Sequence, residues 1–138
     1  MNIHKILGVA TVGVVAVPLI VLSASPANAQ VMCQGTRATI VGSDNNETLR
    51  GTSGRDVIQA LGGNDTVLGL SGDDLVCGGD GNDTLEGRIG SDELYGEEGN
   101  DTLLGGDQDD MIFGGNGNDT ADGGLGANMC TAEVMVNC

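Results

Sequence analysis

Acidic side chains recur at every ninth position over most of the chain. Eight aspartates keep this spacing, and a glutamate and an asparagine extend it at the two ends: Asp56, Asp65, Asp74, Asp83, Asp92, Asp101, Asp110 and Asp119, with Glu47 and Asn128. Carboxylates at a fixed spacing can bind cations, or they can act in pairs as acid and base. Which chemistry applies depends on the elements that position them.

The acids belong to a nine-residue repeat that runs without insertion over residues 42–131. Ten consecutive units fit this register, and "GGDGNDTLE" (78–86) illustrates the pattern. Position 1 is glycine in nine units, position 4 is glycine in eight, position 6 carries the acid, and position 8 is apolar from Leu49 to Cys130. A fixed period of this kind indicates a repeat architecture in which each unit packs on its neighbours.

The last three positions of each unit alternate as in a short β-strand, and glycine supplies the turns between them. Two units would complete one coil of eighteen residues, and successive coils would stack as two parallel sheets. We therefore predict an all-β fold, a right-handed parallel β-roll (a β-solenoid) with strands of three residues. Position 8 would fill the space between the sheets. The acids would form one ladder along each edge, with coils about 4.8 Å apart.

Stacked carboxylates repel one another unless a cation lies between them. Ca²⁺ bonds oxygen at about 2.3–2.6 Å, and twice this distance matches the rise of one coil, whereas Mg²⁺ prefers shorter octahedral bonds. We therefore expect the position-6 acids to bind several calcium ions, with Glu47 and Asn128 as weaker ligands. Glycine would let loop carbonyls complete the coordination, in the loops around Gly63, Gly72, Gly81, Gly99 and Gly117.

The spacing G-G-x-G-x-D-x-U-x resembles that of RTX, or haemolysin-type, calcium-binding repeats. "GGDGNDTLE" and "GGNGNDTAD" match it closely, and the likeness covers residues 33–138. With its leader and its cysteine-containing ends, the chain resembles small secreted actinobacterial calcium-binding proteins. The resemblance implies a β-roll in which position-6 acids and loop carbonyls hold Ca²⁺. A disordered acidic tail is the alternative that this composition would allow without calcium.

The first 29 residues differ in composition from the repeats. A weakly basic start precedes an apolar run over residues 6–22, which ends before the small-residue sequence Ala27-Asn28-Ala29. This pattern predicts a signal peptide at residues 1–29. An uncleaved anchor is the alternative, although the run is short for a membrane span and contains Pro18.

Removal of the leader would leave a mature chain that begins at Gln30. We expect residues 30–41 to form an N-terminal cap, residues 42–131 the ten repeats, and residues 132–138 a C-terminal cap. The protein would then be secreted into the extracellular space, without a membrane anchor.

All four cysteines lie after the predicted leader, at Cys33, Cys77, Cys130 and Cys138. An even number in a small exported chain indicates two disulfides, for which three pairings exist. We favour Cys33–Cys77 and Cys130–Cys138, because each pair would fix one end of the array. Reduced thiols are the alternative, and a zinc site is disfavoured because no CxxC motif is present.

Charge and residue inventory exclude several classes of function. The chain has 20 acidic and 5 basic residues, which gives a net charge of −15 and disfavours nucleic acid and anionic membranes as partners. After residue 29 there is no histidine and no lysine, so triads and Schiff bases are not available. Carboxylate-pair glycoside hydrolysis remains chemically allowed, but an uninterrupted roll would offer no cleft. We therefore expect a binding protein that is not an enzyme.

The two outer faces of the predicted roll differ in character. One face would carry a threonine in every second unit, which fits β-propensity alone or a flat surface for a repetitive ligand such as a polysaccharide. The other face would be apolar and offers a surface for self-association or a protein partner. Its residues are Val57, Leu75, Tyr95, Met111, Phe113 and Met129. A calcium-stapled adhesion or interaction protein is therefore the alternative function.

Overall fold

The computed structural model describes residues 30–138, so the predicted leader (1–29) lies outside the described residues. The described part is all β-structure. Its strands are β1 (Met32–Cys33), β2 (Thr36–Arg37), β3 (Ile40–Val41), β4 (Thr48–Arg50), β5 (Val57–Gly62), β6 (Thr66–Ser71), β7 (Leu75–Asp80), β8 (Thr84–Ile89), β9 (Glu93–Glu98), β10 (Thr102–Asp107), β11 (Met111–Asn116), β12 (Thr120–Leu125), β13 (Met129–Thr131) and β14 (Val134–Val136). No segment of residues 30–138 forms a helix with the length and hydropathy of a membrane span.

Twelve of the strands form two six-stranded sheets, and consecutive strands alternate between them. The threonine sheet contains β4, β6, β8, β10, β12 and β14, and the aromatic sheet contains β3, β5, β7, β9, β11 and β13. Neighbouring strands within a sheet are parallel, and paired residues of the repeats lie eighteen apart, as Thr84 and Thr102 do. These features confirm the predicted parallel roll with two units per coil.

The strands are longer than the sequence pattern predicted. From β5 to β12 each strand has six residues, because pairing between coils continues through positions 2 and 3 of the following unit. The prediction of three-residue strands was therefore wrong. Because near-identical coils stack, the backbone N–H and C=O groups at positions 2 and 3 pair with the same positions in the next coil and do not remain unpaired. The chain bends at position 2, where even Leu61, Leu70, Arg88 and Glu97 adopt positive φ angles of 78–85°.

The core lies between the two sheets and consists of the position-8 side chains, as predicted. Ile58, Val67, Val76, Leu85, Leu94, Leu103, Ile112 and Ala121 are fully buried there, together with Ala60. Leu49 and Cys130 are partly buried at the two ends. Each coil contributes only two position-8 side chains, one from each sheet, so the core is narrow and the position-6 side chains lie at its edges.

An N-terminal hairpin covers part of the outer face of the aromatic sheet. Strands β1 and β2 pair antiparallel, and Cys33 of this hairpin forms a disulfide with Cys77 of β7, with Cα atoms 5.7 Å apart. Cys33, Val57, Leu75 and Cys77 form a second buried cluster, against which Tyr95 packs. Val57 and Leu75 are therefore not available as a docking surface, which corrects the partner surface expected from the sequence. Strands β1 and β2 have only two residues each, which is too short for a recognisable sequence pattern, so this hairpin was not predicted.

The C-terminus is fixed by the second expected disulfide, between Cys130 and Cys138, whose Cα atoms lie 5.6 Å apart. Between these cysteines, β14 joins the threonine sheet beside β12, with Thr120 paired to Val134. At the other end, β3 joins the aromatic sheet beside β5. Both segments outside the repeats therefore contribute a strand to the roll.

Candidate metal sites along two carboxylate ladders

The position-6 aspartates line the two edges of the core, where the turn before each strand places them. Those that precede the threonine sheet form the threonine-edge ladder: Asp65, Asp83, Asp101 and Asp119. Those that precede the aromatic sheet form the aromatic-edge ladder: Asp56, Asp74, Asp92 and Asp110. All eight are buried, with 1–6% of each residue exposed. Buried carboxylates at this density require partners, because an isolated buried charge is strongly unfavourable.

One carboxylate oxygen of each interior aspartate binds the preceding coil. The Oδ1 atom of Asp83 accepts a hydrogen bond from the backbone N–H of Asp65, and Asp101 Oδ1 accepts one from Asp83, each at 2.8 Å. The aromatic-edge ladder repeats this bond at 2.8–2.9 Å. These bonds fix each carboxyl group in one orientation, so the direction of its second oxygen is also fixed.

The second oxygen, Oδ2, is buried and has no hydrogen-bond partner in seven of the eight aspartates. These are Asp65, Asp74, Asp83, Asp92, Asp101, Asp110 and Asp119. At each of several coils this oxygen lies near a backbone carbonyl of the following coil. A Cβ built on Gly96 would lie 2.3 Å from Asp101 Oδ2 and 2.3 Å from the carbonyl oxygen of Gly114. Two hydrogen-bond acceptors thus converge on one place, an arrangement that a cation or a proton would stabilise.

Asn128 forms the last rung of the aromatic-edge ladder, and its Nδ2 donor takes the place of the Oδ2 acceptor of an aspartate. Asn128 Oδ1 accepts the N–H of Asp110 at 2.9 Å, and Asn128 Nδ2 donates to the carbonyl oxygen of Asn137 at 3.0 Å. Here the amide satisfies the opposing carbonyl directly. The end rung therefore has no need of a cation, unlike the seven aspartates whose Oδ2 has no hydrogen-bond partner.

Burial raises the pKa of several ladder carboxyl groups. For Asp74, Asp92, Asp101 and Asp110 desolvation raises the pKa from 3.8 to about 6, partly opposed by the backbone hydrogen bond, and nearby acids raise it further. The pKa values of Asp65 and Asp83 are raised for the same primary reason. In the absence of a cation, folding thus works against ionisation of the ladders.

The loop glycines expected to expose carbonyl groups adopt conformations that favour glycine. Gly63, Gly72, Gly81, Gly99 and Gly117 have φ angles between 107° and 143°. A Cβ on Gly99 would lie only 1.8 Å from the carbonyl oxygen of Gly81 in the preceding coil. The position-4 carbonyls therefore point toward the next loop. A residue other than glycine occupies this place at Gln108, also with positive φ.

The asparagines at position 5 also bridge successive coils, which was not predicted from the sequence. The Oδ1 atoms of Asn46, Asn64, Asn82 and Asn100 each accept the backbone N–H of the residue eighteen positions later at 2.8 Å. These bonds run in the opposite direction to those of position 6. The recurring Asn at position 5 was a visible signal, but its role depends on the stacking register. Together the position-5 and position-6 hydrogen bonds hold adjacent loops at a constant separation.

The end positions differ from the interior ones. Asp56 Oδ2 accepts hydrogen bonds from the N–H and the hydroxyl of Thr52 at 2.6 and 2.9 Å, so it is already satisfied. Glu47 Oε1 is bonded by the Ser43 hydroxyl. Glu133, which lies outside the repeats, accepts the N–H of Asp119 at 2.8 Å. The structure thus stacks the interior acids along the two edges, and it gives Asp56 a partner of its own.

Among residues 30–138, no three acidic, histidine or cysteine side chains converge on one point. The ladders supply one buried carboxylate per coil on each edge, so a bound cation would need backbone carbonyls from adjacent loops as further ligands. Ca²⁺ takes six to eight oxygen ligands and accepts both carboxylates and carbonyls. The oxygen-only inventory of these edges therefore fits calcium.

Comparison with known proteins supports this interpretation. A search of curated proteins found no match. A family model described as "RTX calcium-binding nonapeptide repeat (4 copies)" matches residues 41–76, 78–112 and 95–130, which together cover more than half of the chain. The repeats that this model describes bind calcium, and the matched residues include both carboxylate ladders. The chain belongs to the RTX calcium-binding nonapeptide repeat family.

Proposed function

We propose that this protein is a secreted calcium-binding β-roll whose folding is driven by calcium. The observation that carries the proposal is the row of seven buried Oδ2 atoms without a hydrogen-bond partner. Each belongs to a carboxyl group that is fixed by its Oδ1 hydrogen bond. Several calcium ions, one between successive coils along each edge, would neutralise these oxygens and bind the opposing carbonyls.

Calcium binding and folding would be coupled. Without a cation, the roll must bury carboxylates that resist ionisation, so the unfolded chain is favoured at neutral pH. The ladders exist only when the coils are stacked, so calcium binds the folded state and stabilises it as its concentration rises. Calcium would therefore act as the main stabiliser of a roll whose core contains only two position-8 side chains per coil.

The leader supports an extracellular location for this process. A chain exported through residues 1–29 would stay unfolded where calcium is scarce and would fold where calcium is abundant. Extracellular calcium modules work at about 10⁻⁴–10⁻³ M.

We propose that the protein is not an enzyme. Its mature chain would lack histidine and lysine, and the ladder carboxylates are buried against the core instead of lining a substrate cleft. Within residues 30–138 no pocket is present that could bind a substrate. Binding, either of calcium alone or of a partner through a face of the roll, remains the function that these residues favour.

One observation favours a second function, that of an interaction protein in which calcium is a structural staple. On the aromatic sheet, beyond the hairpin, Tyr95 stacks on Phe113 with ring centroids 4.9 Å apart. Met111 and Met129 beside them are 38% and 61% exposed. Apolar side chains grouped in this way are a candidate surface for self-association or a protein partner. Phe113→Asp should abolish such association in sedimentation, whereas Leu104→Asp on the threonine sheet should not.

Calcium binding itself is tested by equilibrium dialysis of the oxidised protein, residues 30–138, against calcium after treatment with chelator. We expect several ions per chain, and little binding of Mg²⁺ at the same concentration. A protein that binds no calcium, or that binds both ions equally, would contradict the proposal.

A further inference from the structure

We propose that Glu133, which lies outside the nonapeptide repeats, closes the threonine-edge ladder and forms an additional calcium site with Asp119. The inference rests on the proposed function and extends it by one site. The family match ends at residue 130, so the repeat pattern assigns no role to this glutamate.

Glu133 takes the place that a position-6 acid would have in the next coil. Its Oε2 accepts the N–H of Asp119 at 2.8 Å, and Asp119 Oδ1 in turn accepts the N–H of Asp101 at 2.9 Å. The backbone continues the same register, because Val134 N–H donates to the carbonyl of Asp119 just as Thr120 N–H donates to that of Asp101. The ladder therefore has one more rung than the repeats contain.

The neighbouring carboxylate is left in need of a cation. Asp119 is only 1% exposed, and its Oδ2 has no hydrogen-bond partner. A Cβ on Gly114 would lie 2.4 Å from this oxygen, which is the relation that the interior aspartates have to their own glycines. The unsatisfied oxygen of Asp119 thus has the same position relative to its own glycine as those of the interior rungs, and Glu133, whose Oε2 accepts the N–H of Asp119, is the carboxylate of the next rung.

The C-terminal tail holds this rung in place. Only Ala132 separates Thr131 from Glu133, whereas five residues separate positions 9 and 6 within the repeats. The extra methylene of glutamate compensates for part of the shortened loop. The disulfide Cys130–Cys138 encloses Glu133 and β14, and Asn137 binds the side chain of Asp122 at 2.8 Å.

The two edges of the roll therefore end differently. The aromatic-edge ladder ends at Asn128, whose side-chain amide donates to the opposing carbonyl oxygen of Asn137. The threonine-edge ladder ends on a carboxylate that is exposed to solvent. Since the shortened loop supplies fewer carbonyls than a full repeat, we expect the Asp119–Glu133 site to be the weakest in this ladder.

Glu133→Gln tests this assignment, because glutamine keeps an oxygen acceptor for the N–H of Asp119 but removes the charge. Glu86→Gln is the matched control: it makes the same change on the outer face of the threonine sheet, where Glu86 pairs with Arg88. Calcium binding is measured by equilibrium dialysis, and the backbone amide of Asp119 is followed by NMR during the same titration.

We expect Glu133→Gln to bind one calcium ion fewer than the wild type, or to bind its last ion at least tenfold more weakly. The Asp119 amide should then lose its response to calcium, while Glu86→Gln should behave as the wild type does. If Glu133→Gln binds calcium with unchanged number and affinity, Glu133 only caps a backbone N–H and the inference is wrong. A wild type that binds no calcium would instead refute the proposed function and this inference with it.

Discussion

Replacing one buried ladder aspartate by asparagine should have opposite effects with and without calcium. Asp101 is 2% exposed, its Oδ1 accepts the N–H of Asp83, and its Oδ2 has no hydrogen-bond partner. In Asp101→Asn the amide oxygen can keep the first bond. Its NH₂ group can donate to the carbonyl of Gly114, as Asn128 does to Asn137 at the end of the other ladder.

The size of the effect without calcium follows from two estimates. The pKa of Asp101 is raised from 3.8 to about 6, primarily by burial. Keeping this carboxyl group ionised at pH 7 therefore costs on the order of 3 kcal/mol. Satisfying one buried acceptor is worth about 1–3 kcal/mol. Both values describe the same unsatisfied Oδ2, so they are not added, and we expect Asp101→Asn to stabilise the calcium-free fold by about 1–3 kcal/mol.

The assay is folding of the chelated protein at pH 7, followed by far-UV circular dichroism. Trimethylamine N-oxide favours burial and brings a marginal fold into the measurable range. The variant should fold at a lower osmolyte concentration than the wild type, whereas Asp80→Asn, an exposed change of equal charge, should shift the midpoint much less. In calcium the order should reverse, because the variant lacks a carboxylate ligand. An Asp101→Asn protein that folds less readily than the wild type in chelator would refute the reasoning.

Three further predictions concern the ladders and the caps. In chelator, acidification from pH 7 to pH 4 should increase β-structure. The raised aspartate pKa values mean that the folded state binds protons more tightly than the unfolded state, so this stability is present below pH 4 and is lost as pH rises through about 6. A circular dichroism signal of β-structure that falls on acidification would contradict this prediction. Asn128→Asp should destabilise the calcium-free fold and add one bound calcium ion by equilibrium dialysis, because it replaces the donor to Asn137 by an acceptor; an unchanged ion count would count against the account. Replacing both Cys33 and Cys77 by serine should lower the free energy of unfolding of the calcium-bound protein in urea by about 2–4 kcal/mol. It should also expose Val57 to apolar dyes. Dye binding equal to that of the wild type would show that the hairpin stays docked without the disulfide.

Much of the fold was accessible from the sequence because a strict nine-residue period determines which side chains share an environment. The position-8 row became the core, and the position-6 row became two buried ladders, as the period predicts. These features depend on spacing alone. Any regular stacking of eighteen-residue coils would produce them.

Other features depend on contacts that spacing does not encode. The position-5 asparagines bridge coils only because the loops stack in exact register. Thr52 satisfies Oδ2 of Asp56 through a contact within one loop, which the nine-residue period does not reveal. The role of Glu133 required a shortened final loop, which breaks the period, and the hairpin over Val57 required the chain to fold back on itself. The period therefore predicted the position of the core and of the ladders, whereas strand length, the position-5 bonds and the contacts at both ends depend on how the coils stack.

The most direct test of calcium-driven folding is a far-UV circular dichroism titration of oxidised residues 30–138, chelated first and then given Mg²⁺ or Ca²⁺. We predict a spectrum without β-structure in chelator and in Mg²⁺, and a cooperative transition to β-structure as Ca²⁺ rises toward about 10⁻³ M. A full β-spectrum in chelator would contradict the account, since the core, the side-chain ladders and the disulfides would then suffice for folding. Absence of β-structure even in saturating Ca²⁺ would contradict it as well.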